Sequence, residues 1–159
     1  MFSKKLAGIG AVAALVGSAL VPSIAFAAPD PAAPADKQFA SVTVKKNLRQ
    51  LGLPSEVIRK LSISMYEGEI NMVIHAEGGT ADVIVTEEYI DIILKDQGPG
   101  IPDVDLAMQE GYSTATAQIH SLGFGAGMGL PNMKRYSDEM KIDTVLGVGT
   151  TVSMRIYIR

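Results

Sequence analysis

The 159-residue chain has no cysteine and no tryptophan. Without thiols it forms no disulfide, uses no thiol nucleophile and builds no Cys-ligated zinc site. Its two histidines, His75 and His120, stand far apart and join no ligand cluster, so a metal site made wholly of its own ligands is not expected. Basic charge is not in excess: 14 Lys and Arg stand against 17 Asp and Glu, a net of −3. Nucleic-acid binding calls for a basic face, and that class is set aside. No apolar run reaches the ~20 residues that span a bilayer; the longest, Leu6 to Val21, falls short of that.

The first 27 residues differ from the rest. Lys4 and Lys5 open them, the small apolar run follows, and Ala25-Phe26-Ala27 makes an A-x-A pattern. Together these read as a secretory signal cut after Ala27. Losing Lys4 and Lys5 with that segment takes Lys plus Arg from 14 to 12 against the same 17 acidic groups, a net of −5. Residues 28 to 36 are rich in Ala and Pro and read as a tether. Residues 37 to 159 then form a single domain.

Within that domain, Phe39, Val42, Leu48 and Leu51 give a helical pattern over 37 to 51, which Gly52 stops. Pro54 suits the first turn of a second helix over roughly 54 to 76, with Val57, Ile58, Leu61, Met65 and Val73 on its apolar face. Thr80 to Thr86 and Tyr89 to Lys95 read as a hairpin. The stretch 97 to 127 is rich in Gly, Ser, Thr and Pro, and its length marks it as a functional lid. Met128 to Glu139 reads as a helix, and Lys141 to Val145 with Thr150 to Ile158 as a last hairpin. The expected fold class is α+β, a two-layer sandwich of a mostly antiparallel sheet with helices on one face. Met108, Met133, Met140 and Met154 read as packing residues.

Three groups of residues carry candidate chemistry. Glu67, Asn71 and His75 recur at four-residue spacing, each about 40° from the last around a helix, while Glu69 points roughly the opposite way. A carboxylate and a carboxamide one turn apart can serve one phosphate chain: the amide oxygen suits Mg2+, and the carboxylate can take a proton. By themselves these two would read as a solvated helix face. His75 is as readily a packing histidine as a catalytic one. Asp96 follows the apolar run Ile90 to Leu94 and opens Asp96-Gln97-Gly98-Pro99-Gly100. Its carboxylate can accept from the adenine N6 amine and disfavours the carbonyl of guanine. Gly98 and Gly100 leave room for backbone to approach a base. Finally, Gly123 to Gly129 is a glycine-rich loop running into a helix, where exposed N–H groups and the helix dipole attract phosphate. It is neither a P-loop, since no Gly-Lys-Ser/Thr follows, nor a dinucleotide-binding fingerprint, since no strand leads straight into it.

Order and spacing of these pieces resemble the GHKL (Bergerat-fold) ATPase superfamily. Along FASVTV (39 to 44), EGEINMVIHA (67 to 76), KDQGPGIPD (95 to 103), GAGMGLPNMKR (125 to 135) and GVGTTV (147 to 152), the chain is similar to the bacterial anti-sigma-factor serine/threonine kinases. The resemblance implies the Bergerat ATP-binding fold, with ATP and Mg2+ as ligands and Asn71 holding the magnesium. It implies Glu67 as general base and Asp96, Gly98 and Gly100 at adenine. Gly125, Gly127, Met128 and Gly129 fall at the phosphates, and the Thr150 hydroxyl supports Asp96 or adenine. Implied partners are a sigma factor and an anti-sigma-factor antagonist, the latter phosphorylated on serine or threonine, and the implied assembly is a homodimer. The family works in the cytosol and begins with a strand where this chain has its signal-like segment. In the family's kinases a lid arginine reaches the γ-phosphate. Here no Lys or Arg lies between Asp96 and Met133, and His120 stands near that place as the candidate catalytic lid residue. A kinase and a non-catalytic, ATP-gated protein-binding module both remain open.

Overall fold

A computed structural model describes residues 39–76 and 78–159, together with the backbone of three short strands ahead of them. Two helices come first. α1 (Ala40–Gln50) turns Ala40, Val44 and Leu48 inward. Val42 and Leu51, expected on its apolar face, are exposed instead; the buried stripe runs at strict four-residue spacing through the smaller Ala40. Gly52, at φ 76°, ends the helix: its N–H bonds the Arg49 carbonyl and the Leu53 N–H bonds that of Leu48, the two bonds of a left-handed helix stop.

α2 (Ser55–Ala76) is the long central helix, and it buries Val57, Ile58, Leu61, Met65 and Met72. Glu69 also lies on its inner side and is fully buried. Phe39 gives α1 no side-chain cap. The Glu69 carboxylate takes that role across the helix pair, accepting from the Ser41 N–H at 3.1 and 3.3 Å. The sequence placed Glu69 off the Glu67–Asn71 face, as observed, but gave it no part.

Four antiparallel strands form the layer beneath, in the order β4 (Gly78–Val85), β5 (Tyr89–Lys95), β7 (Gly149–Tyr157), β6 (Glu139–Val145). Alternation puts Ala81, Val83, Val85, Ile90, Ile92, Leu94, Val152, Met154 and Ile156 against α1 and α2. The opposite face carries the bidentate Asp91–Arg155 pair, with the guanidinium over the Tyr89 ring at 3.8 Å. The α+β sandwich is the expected one.

Between β5 and β6 lie two short helices, α3 (Val104–Ala107) and α4 (Ala117–Ser121), then α5 (Gly129–Tyr136). α5 is shorter than the expected helix to Glu139. Ser137 turns extended, its hydroxyl bonding the Met133 carbonyl, and the Asp138 N–H joins Arg155, so Glu139 already starts β6.

Ahead of α1, the backbone segments β1 (Leu15–Val16) and β3 (Ile24–Ala27) pair with the outer edge of β4, and β2 (Ala19–Leu20) pairs with β1. β3 is antiparallel to it, from Ile24 opposite Ala81 to Ala27 opposite Gly78. The A-x-A tripeptide thus stands in a strand. The rest of the signal-like segment and the tether at 28 to 36 lie outside the described residues.

Candidate functional site

A cavity of about 620 Å3 opens between α2, the end of β5, the 97–128 segment and the start of α5. That volume is within the range of small-molecule sites. Glu67, Asn71, His75, Asp96, Gly100, Gly125, Gly127, Met128, Gly129 and Thr150 all line it. Gly98 and His120 do not.

Asp96 leaves β5 with its backbone paired to β7: its N–H donates to the Thr150 carbonyl at 2.9 Å. Its Oδ1 accepts from the N–H of Gly98 at 2.8 Å and of Thr150 at 3.1 Å. Both bonds fall on one oxygen, which sets the carboxylate plane and leaves Oδ2 to meet a ligand. Thr150 therefore supports Asp96 through its backbone. Its hydroxyl, expected to serve Asp96 or adenine, pairs with the Thr144 hydroxyl at 3.0 Å. Thr144 is a residue the sequence reading missed. It also accepts from the Ile101 N–H at 2.9 Å, so a β6 side chain braces the turn after Asp96.

The two glycines of that turn serve the protein's own packing. A Cβ on Gly98 would stand 2.5 Å from the Ala76 Cβ, so this glycine seats the turn on the end of α2 rather than against a base. Gly100, at φ 77°, passes within contact of Val145 and Leu146, where a Cβ would come 2.7 Å from the Val145 carbonyl oxygen. The β6–β7 turn adds a bond from the Gly147 N–H to the Pro99 carbonyl at 2.9 Å.

On α2, Glu67 and Asn71 face the start of α5. A Cβ on Gly129 would lie 3.0 Å from Asn71 Oδ1, a tight approach of the loop to the amide that a larger residue would crowd. Glu67 Oε1 accepts from the Asn132 side-chain amide at 2.8 Å. Asn132 went unnoticed in the sequence; its place one turn beyond the glycine loop was the available signal. His75 sits farther along, near Asp96. Partial burial lowers its pKa below the usual imidazole value, and the Asp96 charge opposes that shift.

The glycine loop folds back on the start of the lid. Gly127, at φ 72°, accepts from the Gly111 N–H at 2.9 Å, and a Cβ there would overlap Gly111 and Tyr112 backbone. His120 is exposed on α4; its ring flanks Gly125, with Cε1 3.3 Å from where a Cβ would stand. Among the described residues that line the cavity there is no Lys or Arg.

The donor chemistry fits a magnesium nucleotide. Mg2+ prefers oxygen ligands and keeps several waters and phosphate oxygens, so the Asn71 amide oxygen is the side-chain ligand it would meet here. No cluster of three or more His, Cys, Asp or Glu suited to a metal occurs among the described residues. No described helix is long and apolar enough to cross a membrane.

Fold and site together define a nucleotide-binding domain of two layers. The profile of the histidine kinase-like ATPase domain matches residues 31–156, and the chain belongs to that family. It is 33% identical over 105 residues to the serine/threonine-protein kinase RsbT of Bacillus subtilis (strain 168), covering 66% of this chain and 68% of that one. It is 30% identical over 128 residues to the anti-sigma F factor of Caldanaerobacter subterraneus subsp. tengcongensis, covering 77% and 86%. The mycobacterial sensor histidine kinase MprB aligns over 64% of this chain and 72% of its own, with TM-score 0.46 and 19% identity.

Proposed function

We propose that this chain is an ATP-binding, anti-sigma-factor-like protein kinase. It phosphorylates a serine or threonine of an anti-sigma-factor antagonist and thereby regulates transcription through a sigma factor. The observation that carries the reading is the presence of Glu67, Asn71, Asp96 and the 125–129 glycine loop on one cavity. Residues 37–159 hold every group given a role.

In this reading Asp96 Oδ2 accepts from adenine N6, and the glycine loop and the α5 N-terminus offer N–H groups to the phosphates. Asn71 would hold the magnesium, which would supply charge neutralisation on the phosphate oxygens. Glu67 accepts the proton of the attacking hydroxyl as the bond from that oxygen to the γ-phosphorus forms and the bond to the β-phosphate oxygen breaks, with ADP leaving. The test is single-turnover transfer from labelled Mg-ATP to a serine-bearing antagonist protein. Glu67→Ala should keep ATP binding and lose transfer. Asn71→Ala should weaken the magnesium-dependent part of binding. Wild-type behaviour in both variants would return this helix face to solvated surface.

A second reading has its own observation. With no Lys or Arg among the described residues of the cavity wall and His120 outside it, the γ-phosphate gains little from side-chain cations. An ATP-gated docking module without turnover fits that wall as well. His120→Arg separates the two: raised transfer favours the kinase, and ATP binding without transfer in either protein favours the module.

A further inference from the structure

Glu67 and Asn132 sit on different helices, and a single hydrogen bond joins the proposed base to the proposed phosphate helix. Asn132 begins the regular part of α5: its N–H donates to the Met128 carbonyl at 2.8 Å, so it stands one turn inside the glycine loop. Its side-chain amide reaches Glu67 Oε1 at 2.8 Å, both groups partly buried. A carboxylate only accepts, so the amide must present its NH2 group, and the orientation of Asn132 follows. The seam around the bond is closely packed. A Cβ on Gly68 would stand 3.2 Å from Met133 Cε, and Asn71 Nδ2 lies 4.0 Å from Met133 Sδ. Met133 is fully buried.

We propose that Asn132 is a positioning residue for phosphoryl transfer. It holds Glu67 in the rotamer that aims its second oxygen into the cavity, and it ties that rotamer to the helix that receives the phosphates. The inference rests on the reading of Glu67 as general base. It adds a reason for the base to be ready only when α5 is docked: the bond spans the two elements and is lost if they separate. A glutamate has three side-chain torsions, and fixing its terminal group before reaction removes a reorganisation that would otherwise slow the chemical step.

The test uses the full chain with Mg-ATP and water as the phosphoryl acceptor, reading released inorganic phosphate. Asn132→Leu keeps the branched side-chain shape and heavy-atom count and removes the donor. It should leave KM for Mg-ATP within about twofold and lower kcat by roughly ten- to a hundredfold, a part of the ~10²- to 10⁴-fold that a general base contributes. Asn132→Asp is nearly isosteric and tests the contact without unpacking the seam. It sets a second carboxylate against Glu67, so the pair shares a proton and the acid limb of the pH–rate profile should move up by about a unit or more. A readout without turnover is the side-chain order parameter of labelled Glu67 by NMR relaxation, which should fall in Asn132→Leu. Unchanged kcat with an unchanged order parameter overturns the proposal. A wild type that binds Mg-ATP yet transfers phosphate neither to water nor to the serine-bearing antagonist protein at any pH overturns it too, by removing the base role of Glu67, while nucleotide binding itself stands. A wild type that turns over beside an unaffected Asn132→Leu removes Asn132 alone.

Discussion

The two ends of the cavity are built in different ways. At the Asp96 end, strands and turns interlock: Asp96, Gly98, Thr150, Thr144 and Ile101 share a chain of main-chain and side-chain hydrogen bonds. Beside them on the cavity wall stand Leu94 and Val152, both buried. At the lid end, α3 and α4 bury no residue, and each is started by a local cap, from Asp103 and Thr116. Its distant ties are few, notably the Gly111–Gly127 backbone bond and an exposed ion pair from Arg135 to Glu110 at 2.7 Å. Exposed pairs of that kind are worth about 1 kcal/mol or less. Segments with little burial and few long-range bonds open at low free energy. One end is therefore preformed, and the other can change shape around a ligand.

The largest expected contrast is in stability. Leu94→Ala removes a buried side chain and should cost about 2–5 kcal/mol by denaturant unfolding. Phe124→Ala in the exposed lid should stay within about 0.5 kcal/mol. Similar costs at both sites would erase the distinction between the ends.

Next comes pH. Burial pushes the Glu69 carboxyl from 4.5 up to about 7, outweighing the bonds from Ser41 and Ala40 that pull it down. The folded state then holds this proton more tightly than the unfolded chain. The contribution is complete below about pH 4.5 and is lost as pH rises to about 7, the reverse of a salt-bridged carboxylate. Compared with Glu69→Gln, which does not titrate, the wild type should lose up to about 3 kcal/mol across that window. Parallel stability–pH curves for the two proteins would contradict the assignment. The effect belongs to the rigid half, since Glu69 caps α1, so lid substitutions should leave it untouched.

At the preformed end, Asp96→Asn should lower ATP affinity by roughly 10- to 150-fold, the equivalent of about 1.5–3 kcal/mol for a hydrogen bond to a charged group. The fold should survive, because Asn keeps an Oδ1 acceptor for Gly98 and Thr150. Calorimetry giving equal affinities would take adenine recognition away from this residue.

The same divide governs how much the sequence revealed. Alternation in β5 and β7 and four-residue spacing in α2 come from burial on one face, and both were legible. So was the convergence of Glu67, Asn71 and Asp96, because the order of the motifs follows the resemblance. Long-range pairings were not. Nothing local in Glu69 says that it caps a helix 28 positions upstream, or in Asn132 that it meets Glu67 across 65 positions. Gly98 and Gly100 were expected to give a base room; what packs against them in the fold is Ala76 and the β6–β7 turn, which depends on tertiary packing. His120 shows the converse: a position inferred from a family's lid lies outside the cavity wall here, because α4 exposes it.

The most direct test of the central claim, that Mg-ATP fills this cavity and orders its loose end, is hydrogen exchange of the full chain with and without millimolar Mg-ATP. Binding at a hundred times the dissociation constant stabilises the fold by about 2.7 kcal/mol. The account predicts that the largest gain in protection falls in residues 101–127 and at the α5 N-terminus, with smaller changes at 96–100 and 147–150, which are already bonded. Unchanged exchange in 101–127 at saturating Mg-ATP would contradict it.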